Sequence, residues 1–189
     1  MGDTKALDLS GEWKLVQTDG DLDTFFKNLG YSWVVRKMAI MVMKGMFKTE
    51  KIQMTEDEFH CIETGAPMNK AFTQTYKLKI GGEKIEILEP SGKKVKVSAV
   101  WADNTKQKLK LVIEGEVPSV GYRFFEGDKM IVHAHCADKN GQLIGGDIRS
   151  VYERQGPKPE PQAPSSQAPA APTQTAPPAP GKEETKVPK

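Results

Sequence analysis

Residues 21–45 of the chain have the sequence DLDTFFKNLGYSWVVRKMAIMVMKG, which contains two helical patterns in a chain that otherwise favours strands. The apolar positions of the first pattern follow the i, i+3, i+4, i+7 spacing of an amphipathic helix: Leu22, Phe25, Phe26 and Leu29. Either Asp21 or Asp23 is suited to cap the start of this helix, and Gly30 is suited to end it.

A second helical stretch begins at Ser32 and contains a long apolar run. The apolar members of the run are Trp33, Val34, Val35, Met38, Ala39, Ile40 and Met41. Arg36 and Lys37 mark its polar side, and Gly45 would stop it. The region therefore predicts two short helices joined at Gly30, which is a helix-turn-helix.

The rest of the sequence up to residue 155 consists of short β-favouring runs separated by turn signals. Residues 94–99 alternate between lysine or serine and apolar side chains, and Leu109, Leu111 and Ile113 occupy alternate positions of a later run. Asn140-Gly141 is a strong hairpin signal, after which a last strand is expected from Leu143 onward. Strands at roughly ten-residue spacing favour an all-β antiparallel barrel or sandwich.

The composition changes sharply near Gln155. Of the 13 prolines, ten lie at or after Pro157, and the last aromatic residue is Tyr152. A segment with so little apolar surface cannot offset the entropy of being ordered. We therefore expect a folded domain at 1–155 and a disordered, proline- and alanine-rich tail at 156–189.

Charge and cysteine content exclude several classes of protein. The net charge of +2, from 27 basic and 25 acidic residues, gives no support for nucleic-acid binding. Cys61 and Cys136 do not make a disulfide framework, and no apolar stretch follows Met1, so we expect a cytoplasmic monomer with reduced thiols.

No catalytic constellation is visible, which predicts that the chain is not an enzyme and needs no cofactor. His133 and His135 share one strand face and could bind a metal ion, but no third ligand stands at a convincing spacing. His60 and Cys61 could also bind a metal ion, but they too lack a third ligand at a convincing spacing. The sequence therefore predicts no metal site.

Several segments, in order along the chain, resemble the intracellular lipid-binding proteins of the fatty-acid-binding type. They are Leu9–Val16 with its Gly-x-Trp, Phe25–Gly30, Arg36–Ala39, Ser91–Lys96, Glu126–Met130 and Val151–Arg154. The resemblance implies a ten-stranded antiparallel up-and-down barrel, a two-helix lid after the first strand, and an internal cavity for a lipid. The proline-rich tail and a longer last hairpin are departures from the family.

The resemblance places Arg123 where the family has its second carboxylate-binding arginine. Because alternate residues of a strand share a face, an inward Arg123 implies an inward Gly121 and Phe125. A buried guanidinium needs a partner, and a fatty-acid carboxylate could supply one. On this basis we expect that Arg123→Leu would leave the ligand-free barrel stable.

The family's other headgroup motif, Arg-x-Tyr on the last strand, is changed in this chain. Ser150 stands two residues before Tyr152, and the nearest arginine is Arg149, which faces outward by strict alternation. We therefore expect Arg123, assisted by Tyr152 and Ser150, to hold the ligand headgroup. Whether Arg149 or Arg123 does so stays open at this point.

The predicted function is non-covalent binding and intracellular transport of a hydrophobic ligand, and a long-chain fatty acid is the first candidate. Phe25, Trp33 and Phe125 are the apolar candidates for contact with the ligand's chain, and the lid is suited to transient membrane contact. The alternative is a barrel that no longer binds lipid and serves as a scaffold through its tail. Two tail stretches fit loose patterns for SH3 or WW partners.

Overall fold

The chain is described by a computed structural model over residues 6–65, 71–89, 92–138, 140 and 142–157. The predicted tail beyond Pro157 and Gly141 of the expected hairpin turn lie outside these residues. The described part has ten strands and two helices: β1 Gly11–Gly20, α1 Leu22–Asn28, α2 Trp33–Lys44, β2 Lys48–Met54, β3 Glu58–Gly65, β4 Phe72–Lys79, β5 Ile85–Leu88, β6 Lys94–Trp101, β7 Leu109–Glu114, β8 Ser119–Glu126, β9 Lys129–Cys136 and β10 Ile148–Gln155.

The strands form one antiparallel sheet in the order β4-β3-β2-β1-β10-β9-β8-β7-β6-β5. Strands that follow one another in sequence are paired, except β4 and β5, and β1 also pairs with β10, so the sheet curls into a nearly closed up-and-down barrel. The edges β4 and β5 share no ladder, and a bridge from Ile80 to Ala99 links the end of β4 to β6. The predicted barrel with a two-helix lid after its first strand is confirmed.

Both helices begin and end where their capping residues predict. The carboxylate of Asp21 accepts a hydrogen bond from the backbone N–H of Thr24 at 3.0 Å, which caps α1. The hydroxyl of Ser32 caps α2 through the N–H of Val35, and Gly45 closes that helix at its other end. No helix in the described ranges is long and apolar enough to cross a membrane.

The barrel interior and the lid rest on separate apolar clusters. The larger cluster fills the barrel around Trp13, Leu15 and Phe59. The smaller cluster joins α1 to the barrel rim, where Leu22 and Phe25 pack against neighbours that include Ile148. Burying a phenylalanine side chain is worth about 1.5–3 kcal/mol, so this contact helps to hold α1 on the barrel rim.

One end of the barrel is closed by the segment that precedes β1. Leu7 and Leu9 are buried in the barrel cluster, and the indole N–H of Trp13 donates to the carbonyl of Leu9 at 2.8 Å. The guanidinium of Arg154 lies over the Trp13 ring at 4.2 Å and donates to the carbonyl of Ser10 at 2.6 Å. These contacts seal the end of the barrel where β1 begins.

The last strand begins later than the sequence predicts. The strand was expected from Leu143, but β10 starts at Ile148. Gly145 and Gly146 adopt left-handed backbone angles, with φ of 74° and 66°, and this conformation interrupts the ladder. Leu143 makes only an isolated bridge to Ala137.

Gly146 also provides a test of how α1 is held. A side chain at Gly146 would meet the backbone of Phe25 at 2.8 Å, whereas one at Gly145 would meet nothing within 4 Å. At both positions an L-residue would have to adopt the left-handed backbone conformation, which costs about 1–2 kcal/mol. We predict that Gly146→Ala lowers the free energy of unfolding clearly more than Gly145→Ala in urea titrations. Equal losses would show that α1 does not depend on this close approach.

Candidate binding site

The interior of the barrel contains charged side chains on a face that is otherwise apolar. In β2 the alternation that turns Ile52 inward also turns Glu50 and Lys48 inward. Glu50 pairs across the sheet with Trp13 on one side and with Glu63 of β3 on the other. Two neighbouring carboxylates repel each other, so the site requires cations.

The cations come from β2 itself and from β8. Arg123 is 4% exposed, and its guanidinium pairs with Glu50, which is 1% exposed, and lies 3.5 Å from Glu63. The ammonium of Lys48 lies 3.0 Å from Glu50 and 3.2 Å from Glu63. The hydroxyl of Tyr76 donates to Glu63 at 2.8 Å. We call Lys48, Glu50, Glu63 and Arg123 the ionic cluster.

The ionic cluster is formally neutral, because two cations face two carboxylates. Burial alone would raise the pKa of Glu50, but Arg123 and Lys48 outweigh it and hold that pKa below its ordinary value. Burial alone would lower the pKa of Arg123 and of Lys48, but the carboxylates raise both. All three groups are therefore charged at neutral pH.

Neutral polar groups surround the ionic cluster. Burial and the nearby carboxylates raise the pKa of the Cys61 thiol and of the Tyr76 hydroxyl, so both stay protonated. The same causes raise the pKa of Tyr152. The Nε atom of Arg123 is buried and has no hydrogen-bond partner in the part of the chain that the structure describes. A donor of this kind can serve a ligand oxygen.

The structure brings some of the predicted site residues together. Arg123 lies inside the barrel, and Tyr152 and Ser150 are buried on the inward face of β10. Phe125 packs against the ring of Trp13, with centroids 5.7 Å apart. Arg149 faces away from the interior and pairs with Glu126 at 2.5 Å, as strict alternation predicts.

The two lid aromatics lie elsewhere. Phe25 is buried in the smaller cluster under α1, and Trp33 is 63% exposed at the start of α2. Neither residue belongs to the apolar cluster that surrounds Arg123. The structure therefore separates these candidates from the headgroup candidates.

Glu50 is the functional candidate that the sequence analysis missed. We considered only a ligand carboxylate as the partner of Arg123 and expected Arg123→Leu to leave the barrel stable. Because Glu50 pairs with Arg123 in the interior, the variant would leave a buried carboxylate with one cation fewer. With this pair in view, we expect Arg123→Leu to destabilise the ligand-free barrel.

An open hollow of about 500 Å³ lies beside the end of α2. Met46 and Phe47 form its outer side, and Leu15 and Thr64 belong to its wall. Leu15 is the ladder partner of Tyr152, so the hollow reaches a strand pair that also carries a headgroup candidate. We call this space the α2 hollow.

Comparisons of the sequence with family models and with curated proteins find no match. Solved structures do match. The chain is similar to the REP1-NXSQ fatty acid transporter, at 20% identity and a TM-score of 0.61 over 79% of this chain and 98% of that one. Lipid binding protein 8 of Caenorhabditis elegans matches at 19% identity and a TM-score of 0.58, over 77% of this chain and 94% of that one. Fatty-acid-binding protein 1 of Echinococcus granulosus matches at 16% identity and a TM-score of 0.58, over 78% of this chain and 98% of that one. The chain has the fold of these lipid-binding proteins.

The ionic cluster predicts a large cost for removing Glu50. Breaking a buried ion pair by deleting one partner costs about 3–5 kcal/mol, and the remaining contact from Arg123 to Glu63 favours the lower end. We predict that Glu50→Gln lowers the free energy of unfolding by about 3 kcal/mol in urea titrations. The control Glu126→Gln removes an exposed pair with Arg149 and should cost less than about 1 kcal/mol.

The ion pairs of Glu50 also make the free energy of unfolding depend on pH in acid. The pKa of Glu50 falls from 4.5 to about 2 on folding, so its contribution is complete above pH 4.5 and is lost as the pH falls toward 2. The difference in unfolding free energy between the parent chain and Glu50→Gln should shrink over that pH range. A constant difference from pH 7 to pH 2 would contradict the assignment.

Proposed function

We propose that the chain binds a hydrophobic ligand non-covalently inside its barrel and carries it through the cytoplasm, the ligand being a long-chain fatty acid or a neutral derivative. The observation that supports this proposal most directly is the buried Arg123, whose Nε donor has no hydrogen-bond partner among the described residues. The shared fold with lipid-binding proteins supports the same proposal. Two free, buried cysteines suit a reducing compartment.

The α2 hollow supplies room for an acyl chain. Its volume of about 500 Å³ falls in the range of about 300–1,000 Å³ that is usual for ligand pockets. Met46 and Phe47 at its outer side are apolar and half-exposed, so a lipid chain can contact them on entry. Methionine suits such a surface because its side chain adapts to ligands of different shape.

The headgroup end of the ligand would meet the ionic cluster. A fatty-acid carboxylate gains a charge-assisted hydrogen bond from Arg123 but also meets Glu50, whose negative charge opposes it. Tyr152 and Ser150 supply neutral polar groups on the adjoining strand face. We therefore propose weak discrimination between a fatty acid and its uncharged ester.

One observation favours the alternative, a scaffold barrel that no longer binds lipid. Glu50 already provides Arg123 with the carboxylate that a ligand would otherwise supply. In this reading the proline-rich tail would do the binding, with SH3 or WW domains as partners. Native mass spectrometry of the chain as purified from cells separates the two: bound lipid supports the carrier, and a ligand-free protein that also fails to bind added oleate supports the scaffold.

The lid surface supports transient membrane contact. The exposed apolar residues on and just after α2 are Trp33, Val34, Met38, Met41, Met46 and Phe47. Lys37 and Lys44 lie exposed on the same helix, and Lys37 approaches the Trp33 ring at 6.0 Å. Apolar and cationic side chains on one helix suit a membrane interface with anionic lipids.

We predict that charge changes in the ionic cluster alter the preference between oleate and its methyl ester. Glu50→Gln should raise the ratio of oleate to ester affinity, because it removes the carboxylate that competes for Arg123. The double variant Glu50→Leu/Arg123→Leu removes the donor together with the opposing carboxylate, so it should lower oleate affinity by less than about ten-fold and leave ester affinity nearly unchanged. Displacement of a fluorescent apolar dye measures both ligands.

The double variant is chosen to keep the barrel folded. It removes one cation and one anion, and the pair of Lys48 and Glu63 at 3.2 Å stays neutral. Arg149→Ala is the control, since Arg149 faces outward and should affect neither ligand. Equal losses for oleate and ester would show that Arg123 supports the barrel rather than the headgroup. A large loss only in Arg149→Ala would place the headgroup on the outer face.

We also predict that fluorescent fatty acid moves from the protein to anionic vesicles at a rate that rises with vesicle concentration. Trp33→Ser with Phe47→Ser should reduce this dependence, because both side chains lie on the exposed lid surface. Leu88→Ser is the matched control, since Leu88 on β5 is 63% exposed like Trp33. A rate independent of vesicle concentration in the parent chain would rule out the membrane contact.

A further inference from the structure

Two of the three histidines of the chain lie side by side on the outside of the barrel. His133 and His135 alternate along β9, and their rings are 4.1 Å apart at the centroids. In the ladder to β10, Ala134 pairs with Ile148 and His133 pairs with Arg149. This register brings Asp147, the residue just before β10, beside the two imidazoles.

The three side chains form a compact group of possible metal ligands. One ligand atom from each of His133, His135 and Asp147 lies within 4.8 Å of the others. The His133 Nε2 atom is 3.3 Å from the Asp147 Oδ2 atom. Bonds of about 2.0–2.1 Å to a tetrahedral zinc ion separate neighbouring ligand atoms by about 3.3 Å. One edge of such a site is therefore already in place, and rotation of the exposed Asp147 side chain can help to complete it.

We propose that His133, His135 and Asp147 bind a divalent transition-metal ion of the zinc type on the outer face of the barrel. Two imidazoles and a carboxylate are the ligand types that zinc takes, and three protein ligands leave a fourth position for water. The side chains of His133 and Asp147 are 34% and 64% exposed, so an ion can enter from solvent.

The surroundings of the group are compatible with a bound cation. Arg149 is the ladder partner of His133, and its guanidinium is engaged by Glu126 at 2.5 Å. Lys108 lies over the ring of Tyr122, at 5.7 Å from its centroid. The ring of Tyr122 packs edge-on against His135, with centroids 6.2 Å apart, which restricts rotation of that imidazole. A restricted ligand loses less entropy when it binds the metal.

A metal ion at this position would tie β9 to the segment that anchors α1. Gly146, next to Asp147, approaches the backbone of Phe25, and Ile148 packs in the smaller apolar cluster with the same residue. A ligand that binds only the folded state stabilises it by an amount that rises with the logarithm of the ligand concentration once the site is mostly filled. Added zinc should therefore raise the melting temperature of the full chain.

Zinc titration by calorimetry and cobalt absorption spectroscopy test the proposal on the full chain. We expect one ion per chain and weakening of about ten-fold or more in His135→Ala and in Asp147→Asn. His60→Ala is the matched control, because His60 lies on β3 beside Gln53 and should have no effect. The cobalt spectrum should lack a thiolate charge-transfer band, since Cys61 and Cys136 are buried.

Three results would overturn the proposal. No binding of zinc or cobalt by the parent chain overturns the proposal, as does unchanged affinity in both ligand variants. Weakening in His60→Ala alone places the ion on β3 and also overturns it. Circular dichroism and melting of the metal-free variants confirm that each is folded, so a loss of affinity reports on the ligands.

Discussion

The ion pair between Arg123 and Glu50 is the interaction on which the interior of the barrel depends. A guanidinium inside an apolar barrel is tolerated only when an anion neutralises it and its donors find acceptors. The two residues are 73 positions apart in sequence and belong to β8 and β2. In the sheet, β1, β10 and β9 stand between these strands, so the pair spans the interior rather than joining neighbours.

This ion pair also explains why further charged and polar side chains lie around it inside the barrel. Glu63 stands beside Glu50 in the ladder, and Lys48 contacts both carboxylates, so the four charges balance. Cys61 and Tyr76 remain uncharged in the same surroundings. An interior of this kind attracts a lone anion less than an isolated arginine would. In the proposed carrier, apolar contact would therefore contribute more than charge to the retention of a ligand.

The fold and part of the candidate site could be predicted from local sequence signals. Helix caps depend on neighbours within a few residues, and these predicted both helices. The inward position of Arg123 was predicted from the family resemblance, and alternation added only that Gly121 and Phe125 share its face. Glu50 was missed although the alternation with Ile52 indicated an inward position, because only a ligand was considered as the partner of Arg123. Asp147 could not be placed, since its position beside His133 depends on where Gly145 and Gly146 end the hairpin.

The pairing of β1 with β10 has a consequence for the architecture of larger proteins. Glu12 lies opposite Gln155, so the barrel's first and last strand residues are neighbours in space. A domain whose ends meet can be inserted into a loop of a host protein without stretching that loop, and it tolerates circular permutation. New termini could then open at the left-handed glycine turn of Gly127 between β8 and β9.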